Sequence, residues 1–316
     1  MKICYQEKNF RTKSLEMIKL CNEIIEEFSA QGFELTLRQL YYQLVSRAVI
    51  PNNEKSYDNI GALISDARLA GLVDWEAIVD RTRYLRALSH WNDPSEVIED
   101  GAQQYRVDCW ADQPKRLEVW VEKDALVDVI GKVANQFDVP FFSCRGYTSQ
   151  SEMYGAAQRL VNYQNQGQSV VIIHLGDHDP SGIDMSRDIE DRLTMFCEYH
   201  GAPDIALKRL ALNKPQILAY KPPPNPAKLT DCRAVKYIEQ HGNESWELDA
   251  LNPKVIADMI RAEINKHLDK GFFAAAQEKQ RQAREELQRL ADNYVAALDG
   301  AAKAEKRAAK RRKKAK

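Results

Sequence analysis

Apolar positions in the first third of the chain recur at helical spacing. Leu15, Ile18, Cys21, Ile24, Ile25 and Phe28 follow Ser14, and Gly32 ends the run, which predicts a helix. Thr36 is a candidate N-cap for a second helix running to about Arg47, where Pro51-Asn52-Asn53 breaks the pattern. Ser56 opens a third, with Tyr57, Ile60, Leu63, Ile64 and Ala67 on one face and a stop near Gly71. Followed by a possible strand over Val79–Tyr84, the three helices predict a helix-turn-helix or winged-helix module.

From Leu117 the period changes. Strand-like runs at 117–122, 139–144 and 169–175 alternate with helical stretches at 124–136, 149–165 and 181–200, and Ala206–Leu212 reads as one more strand. Such alternation implies parallel strands joined by crossover helices. Lys221-Pro222-Pro223-Pro224-Asn225-Pro226 then predicts a rigid extended linker or loop, because proline fixes φ and removes a donor. Helices are expected at 231–240, 253–268 and 273–298. The expected fold class is α/β plus α in four parts: a helical, winged-helix-like domain over 1–100, a parallel-sheet domain over 115–215, a helical region over 216–300 and a basic tail over 301–316.

Two acidic clusters close strands of this pattern. Glu122 ends the run Leu117-Glu118-Val119-Trp120-Val121, and Asp177 and Asp179 follow the apolar run from Val170 to Leu175. Open α/β sheets place their sites at the carboxyl ends of strands, so three carboxylates converge if the two strands are neighbours. A single acid at such a place commonly caps the next helix. Two acids two residues apart in extended chain point the same way, however, and Pro180 and Gly182 shape a turn into the following helix. Oxygen-only ligands there suit Mg²⁺, which substrate phosphates complete. His174 lies within the apolar strand and reads as a core histidine, and zinc lacks a third well-spaced nitrogen or sulfur ligand.

The helix over 36–47 carries a second kind of chemistry. Leu37, Leu40, Tyr41, Leu44 and Val45 form its apolar stripe, which leaves Tyr42 on a polar flank with Arg38 four residues before it. An exposed tyrosine beside an arginine can attack a phosphodiester as a stabilised phenolate. A Tyr-Tyr pair in a helix is also a common packing device.

Composition narrows the class. The chain has 316 residues and 44% hydrophobic content, enough for two domains or one large domain with an added module. It has no run of 18 apolar residues and no apolar leader, so it is expected to be cytoplasmic, with no membrane partner. The six cysteines lack metal-type spacing and are read as reduced thiols. The formal net charge of −1 conceals an uneven distribution, since residues 301–316 hold nine Lys or Arg against the single acid Glu305. A basic arm of this kind can neutralise phosphates and hold the protein at the nucleoid; a solvated tail is the plainer alternative. Lys310, Arg311 and Arg312 are its candidate contacts, together with Arg68, Arg81 and Arg83 around the helical module.

A Glu closing one strand, Gly146-Tyr147 after the next and Asp177-His178-Asp179-Pro180-Ser181-Gly182 after the third resemble the TOPRIM domain of topoisomerases, primases and related nucleases. Val121-Glu122-Lys123-Asp124-Ala125 and the Asp-x-Asp-Pro-x-Gly stretch are most similar to the A subunit of type IIB topoisomerase, topoisomerase VI, and its meiotic double-strand-break relative. Leu37-Arg38-Gln39-Leu40-Tyr41-Tyr42 is similar to that family's Arg-Asp-Ile-Tyr-Tyr motif, with Gln39 in place of the acid. The resemblance covers roughly residues 33–200 and suggests a minimal A-like protein of phage or plasmid type.

What the resemblance implies is a DNA-cleaving enzyme. Tyr42 would be the nucleophile, Arg38 would stabilise the phosphate, and Glu122, Asp177 and Asp179 would hold Mg²⁺. In the family, tyrosine and acids of one cleavage centre come from two subunits, so a homodimer acting on double-stranded DNA is implied, with a separate ATPase B-type subunit as a further partner. This chain has no G-x-x-x-x-G-K-[ST] phosphate loop. The alternatives are a metal-dependent TOPRIM endonuclease using water, with Tyr42 structural, and a non-catalytic DNA-binding subunit.

Overall fold

The computed structural model describes residues 1–79 and 87–314, side chains from 297 onward excepted. The expected strand over Val79–Tyr84 lies almost wholly outside these residues; Val79 itself donates to the Leu35 carbonyl at 3.0 Å. The chain divides into two compact units, Met1–Tyr84 with Pro114–His267, and Leu85–Gln113 with Leu268–Lys316. The helical module and the sheet therefore share one unit.

In the first unit, α1 (Thr12–Ala30), α2 (Leu37–Ser46) and α3 (Glu54–Leu69) bury one continuous cluster. Ile18, Cys21, Ile24 and Phe28 of α1 meet Leu40 and Leu44 of α2 and Ile60 and Ile64 of α3. The start of α3 is fixed by Asn53, whose Oδ1 accepts from the Ser56 amide at 2.9 Å, so Asn53 and not Ser56 is the cap.

The sheet follows. Strands β1 (Lys115–Val121), β2 (Phe141–Ser143), β3 (Ser169–Leu175) and β4 (Ile205–Ala211) are all parallel, in the order β2-β1-β3-β4. Crossovers are α5 (Val127–Ala134), α6 (Gln150–Asn165) and α7 (Pro180–Tyr199). The stretch expected as one helix over 124–136 has 3₁₀ turns at Asp124–Leu126 and Asn135–Phe137 around a shorter α5. Leu117, Val119, Trp120 and Val121 of β1 are fully buried, as both faces of a covered parallel sheet require. Glu118 is buried among them because Arg159 grips it with two bonds, at 2.7 and 2.9 Å.

Beyond β4 come α8 (Lys214–Tyr220), the strand pair β5 (Asn225–Pro226) and β6 (Glu244–Ser245), α9 (Ala234–His241) between them, and α10 (Pro253–His267). The proline-rich stretch is thus no linker between domains. It ends in β5, and Asn225 Oδ1 accepts from Asn52 Nδ2 at 2.6 Å, folding the stretch onto the loop after α2.

The second unit pairs α4 (Pro94–Gln104) with α11 (Lys270–Lys314). Residues 94–100, expected in the first domain, belong here instead: the Arg284 guanidinium donates to the Tyr105 carbonyl at 2.9 Å and Gln280 accepts from the Val107 amide at 2.9 Å. The expected basic tail is the continuation of α11, which is helical through Lys314.

Candidate active site

Parallel register puts the sequence's acids side by side. Lys115 pairs with Ser169 and Val121 with Leu175, so Glu122 and Gly176 leave the sheet at one level, and the Glu122 amide donates to the Leu175 carbonyl at 2.9 Å. The Glu122 carboxylate turns across the strand end and accepts from the Asp177 amide at 2.8 Å. A Cβ at Gly182 would clash with the Asp177 carbonyl oxygen and come within 3.0 Å of Glu122 Oε2, so this approach requires glycine. Asp179 Oδ1 accepts from the Gly182 amide at 2.6 Å and caps α7, with Pro180 in its first turn. The capping alternative therefore holds for Asp179 but not for half-buried Glu122 or buried Asp177.

Arg209 of β4 clamps the loop from behind. Its guanidinium donates to the carbonyls of Gly176, Asp177, Gly182 and Leu212 and to Ser186 Oγ. Burial pushes its pKa down to about 10 against the pull of Glu122 and Asp177, and it stays charged at neutral pH. From the other side, His178 and Trp246 exchange backbone bonds of 2.8 and 2.9 Å, and the Tyr237 hydroxyl meets His178 Nδ1 at 2.8 Å. The segment after β4, for which the sequence suggested no purpose, thus braces the Asp-His-Asp loop. His174 is a core residue as expected: fully buried, bonded through Nδ1 to Ser186 at 2.8 Å, and pushed by burial down to about 3, hence neutral.

The tyrosine half is built by α2. Thr36 and Gln39 form a reciprocal capping box, Gln39 N to Thr36 Oγ1 at 3.2 Å and Thr36 N to Gln39 Oε1 at 2.9 Å. Gln39 thus has a structural role of its own at the start of α2. Tyr42 departs from expectation. It is 5% exposed and packs with Tyr41 and Ala250 in a small cluster of its own, because residues 247–250 cover the face that helical periodicity left polar. Burial and the negative charge of Glu247 push its phenol pKa up, outweighing the pull of Arg38, so the phenolate expected on an exposed flank is disfavoured in this state. The Arg38 Nη2 lies 3.5 Å from the Tyr42 hydroxyl.

Tyr42, Arg38, Glu122, Asp177 and Asp179 all line one cavity of about 550 Å³. Three residues absent from the sequence reading of the site join it: Lys123 and Glu247 line the same cavity, and Asp249 pairs with its two cations. Lys123 Nζ pairs with Asp177 Oδ2 at 2.8 Å, Glu247 Oε2 at 2.8 Å and Asp249 Oδ1 at 3.3 Å. Arg38 pairs with Asp249 Oδ2 at 2.7 Å and with Glu247. Glu247 is extended and leads into a 3₁₀ turn over Leu248–Ala250 in which Asp249 is buried with its neighbours, so nothing in the local pattern singles out these two acids as partners of Arg38 and Lys123.

Charges in the cluster are not balanced. Burial pushes the carboxyl of Asp177 up, opposed by Lys123 and reinforced by Glu122 and Asp249. Burial likewise pushes Glu122 up, against the Asp177 amide and Lys123. For Glu247, burial is overridden by Lys123 and Arg38, which hold it well below the usual range. Five carboxylates, those of Glu122, Asp177, Asp179, Glu247 and Asp249, thus face Lys123 and Arg38, with Arg209 as a third cation behind the loop. An all-oxygen, electron-rich donor set of this kind fits a hard divalent cation. As arranged, no three His, Cys, Asp or Glu side chains among the described residues are grouped tightly enough to hold a metal, and Lys123 takes Asp177 Oδ2 while the Leu248 amide takes Oδ1.

The remaining expected contacts lie elsewhere. Arg68 donates to the carbonyls of Trp75 and Ile78, and its guanidinium carbon lies 5.7 Å from the centre of the Trp75 ring, so its donors serve the fold. Arg81 and Arg83 fall outside the described residues. Lys310, Arg311 and Arg312 lie on α11 in the second unit. Among the described residues no helix is long and apolar enough to cross a membrane. No protein-family model matches the chain, and no curated protein matches it.

Proposed function

We propose that the protein cleaves double-stranded DNA by transesterification through Tyr42, in the manner of a topoisomerase VI A subunit. The observation that carries this reading is the convergence of Tyr42 and Arg38 with Glu122, Asp177 and Asp179 on one cavity, from stretches far apart in the chain. The parallel sheet with acids at its strand ends supports a TOPRIM domain, and α1–α3 support a winged-helix-like module.

In the step, Tyr42 Oη bonds to a backbone phosphorus while the bond from phosphorus to one sugar oxygen breaks. The phenolic proton passes to Glu247, whose negative charge acts on the phenol, and the departing sugar oxygen takes a proton from water. Arriving phosphate competes for Arg38; as Arg38 turns to it, Glu247 loses a partner and becomes a stronger base while the developing negative charge gains one. Glu122, Asp177 and Asp179 would hold Mg²⁺, which supplies charge stabilisation at the attacking and leaving oxygens. Cutting both strands takes two such sites and hence a homodimer; strand passage would take an ATPase partner.

Hydrolysis by water is the second reading, favoured by the packing of Tyr42 and its raised phenol pKa. End-labelled duplex DNA incubated with the protein and Mg²⁺, then denatured, separates the two. Transesterification leaves label on the protein; hydrolysis leaves cut DNA with free ends.

A further inference from the structure

The Lys123 ammonium is enclosed by carboxylates. Lys123 follows Glu122 beyond the end of β1, and its Nζ lies 2.8 Å from Asp177 Oδ2, 2.8 Å from Glu247 Oε2 and 3.3 Å from Asp249 Oδ1. An ammonium has three N–H donors and no acceptor, so one acid stands ready for each donor. Asp177 and Asp249 are buried, and they can stay ionised there only with a cation beside them. The result is a cage of oxygens around a single positive charge.

The acids expected to hold Mg²⁺ are engaged at the same place, but by two kinds of donor. Glu122 Oε2 accepts from the Asp177 amide, Asp179 Oδ1 from the Gly182 amide and Asp177 Oδ1 from the Leu248 amide, all of them backbone groups fixed by the fold. Asp177 Oδ2 instead holds Lys123, whose ammonium ends a flexible four-carbon stem. An ammonium and a divalent cation on one carboxylate oxygen repel strongly where little water separates them. Oδ2 is therefore the oxygen that a metal gains by displacing a side chain rather than by breaking the loop. The displaced lysine has somewhere to go, since it also lines an adjoining cleft of about 360 Å³ in which Asp124 pairs with the exposed Arg145.

We infer that Lys123 is a built-in occupant of the metal site: its ammonium holds the acids together in the metal-free protein, and a divalent cation binds by expelling it from Asp177. The inference rests on the Mg²⁺ site of the reading above and not on the chemistry of Tyr42, and the cage is the same whichever subunit supplies that tyrosine.

Mn²⁺ serves as the probe, with the free ion counted by electron paramagnetic resonance as the full-length protein is titrated without DNA. Lys123→Met should bind at least about tenfold more tightly than wild type, and Lys123→Arg, which keeps the charge, should stay within about threefold of wild type. Asp177→Asn added to Lys123→Met should abolish the gain. Lys228→Met removes an exposed charge that lines the same cavity, and a change below about threefold there separates expulsion of Lys123 from a general change of field. Equal affinity of wild type and Lys123→Met, or an equal gain in Lys228→Met, would overturn the inference and leave the metal site standing. Absence of binding by every one of these proteins would overturn both.

Should Lys123→Met fail to fold, the wild-type chain decides. It is treated with an amine-reactive succinimidyl ester and read by peptide mass spectrometry. Lys123 should be acylated at least about fivefold faster with Mn²⁺ saturating than without it, because the expelled amine reaches solvent. Acylation of Lys123 unchanged by saturating Mn²⁺ would overturn the inference.

Discussion

Gly182 and Asp179 set the shape of the loop that carries the acids. A methyl at Gly182 has no room beside the Asp177 carbonyl, so Gly182→Ala should destabilise the protein by about 1–3 kcal/mol and displace Asp177. Urea denaturation and the adduct assay read the two effects; full activity with wild-type stability would refute the close approach. Asp177 is different, because its ionisation works against burial and against Glu122. Asp177→Asn keeps an acceptor for the Leu248 amide and removes one buried charge, so it should abolish adduct formation without lowering the melting temperature at neutral pH.

Elements were legible where periodicity was strong and tertiary cover was simple. The four strands lie where the alternation put them, and α7 begins at the predicted turn, because a covered parallel strand shows as a continuous apolar run whatever packs on it. The burial of Tyr42 was not legible, since the residues that cover it are more than 200 positions away, as with Arg38 and Asp249, which are separated by 211. Lys123 stood in a quoted motif without a role, and nothing local to it identifies Glu247 as its partner.

Two predictions belong to this scale. Thr36→Ala removes one arm of the capping box and should cost about 1 kcal/mol, measured by thermal unfolding. Glu263 ties α10 to β4: burial alone would raise its carboxyl, but hydrogen bonds from Lys208, Lys266 and His267 hold it down to about 2. A depressed folded-state pKa contributes stability that is present above the ordinary glutamate range and lost as pH falls through about 2. Glu263→Gln should therefore destabilise by about 1–2 kcal/mol at neutral pH, after allowance for its half-exposed lysines, and the difference should vanish on acidification.

Across the whole molecule, charge and chemistry are divided between units. The first holds the cavity; the second carries on α11 the basic residues of 301–316. Phosphate neutralisation by such a stretch gives affinity that falls steeply with salt, about −0.9 in log–log slope per phosphate. Deleting residues 303–316 should flatten that slope by several units in a DNA-binding titration, while the rate of adduct formation at saturating DNA stays within about threefold. A shortened chain that binds DNA with unchanged salt dependence would leave the basic stretch without this role.

The reading as a whole stands on the chemistry of one oxygen atom, the Tyr42 hydroxyl. Its direct test is mass spectrometry of the protein after incubation with Mg²⁺ and duplex DNA, denaturation and nuclease digestion. The account predicts a nucleotide esterified to the peptide containing Tyr42, absent from Tyr42→Phe. Cleaved DNA with no modified peptide, or undiminished cleavage by Tyr42→Phe, would contradict it.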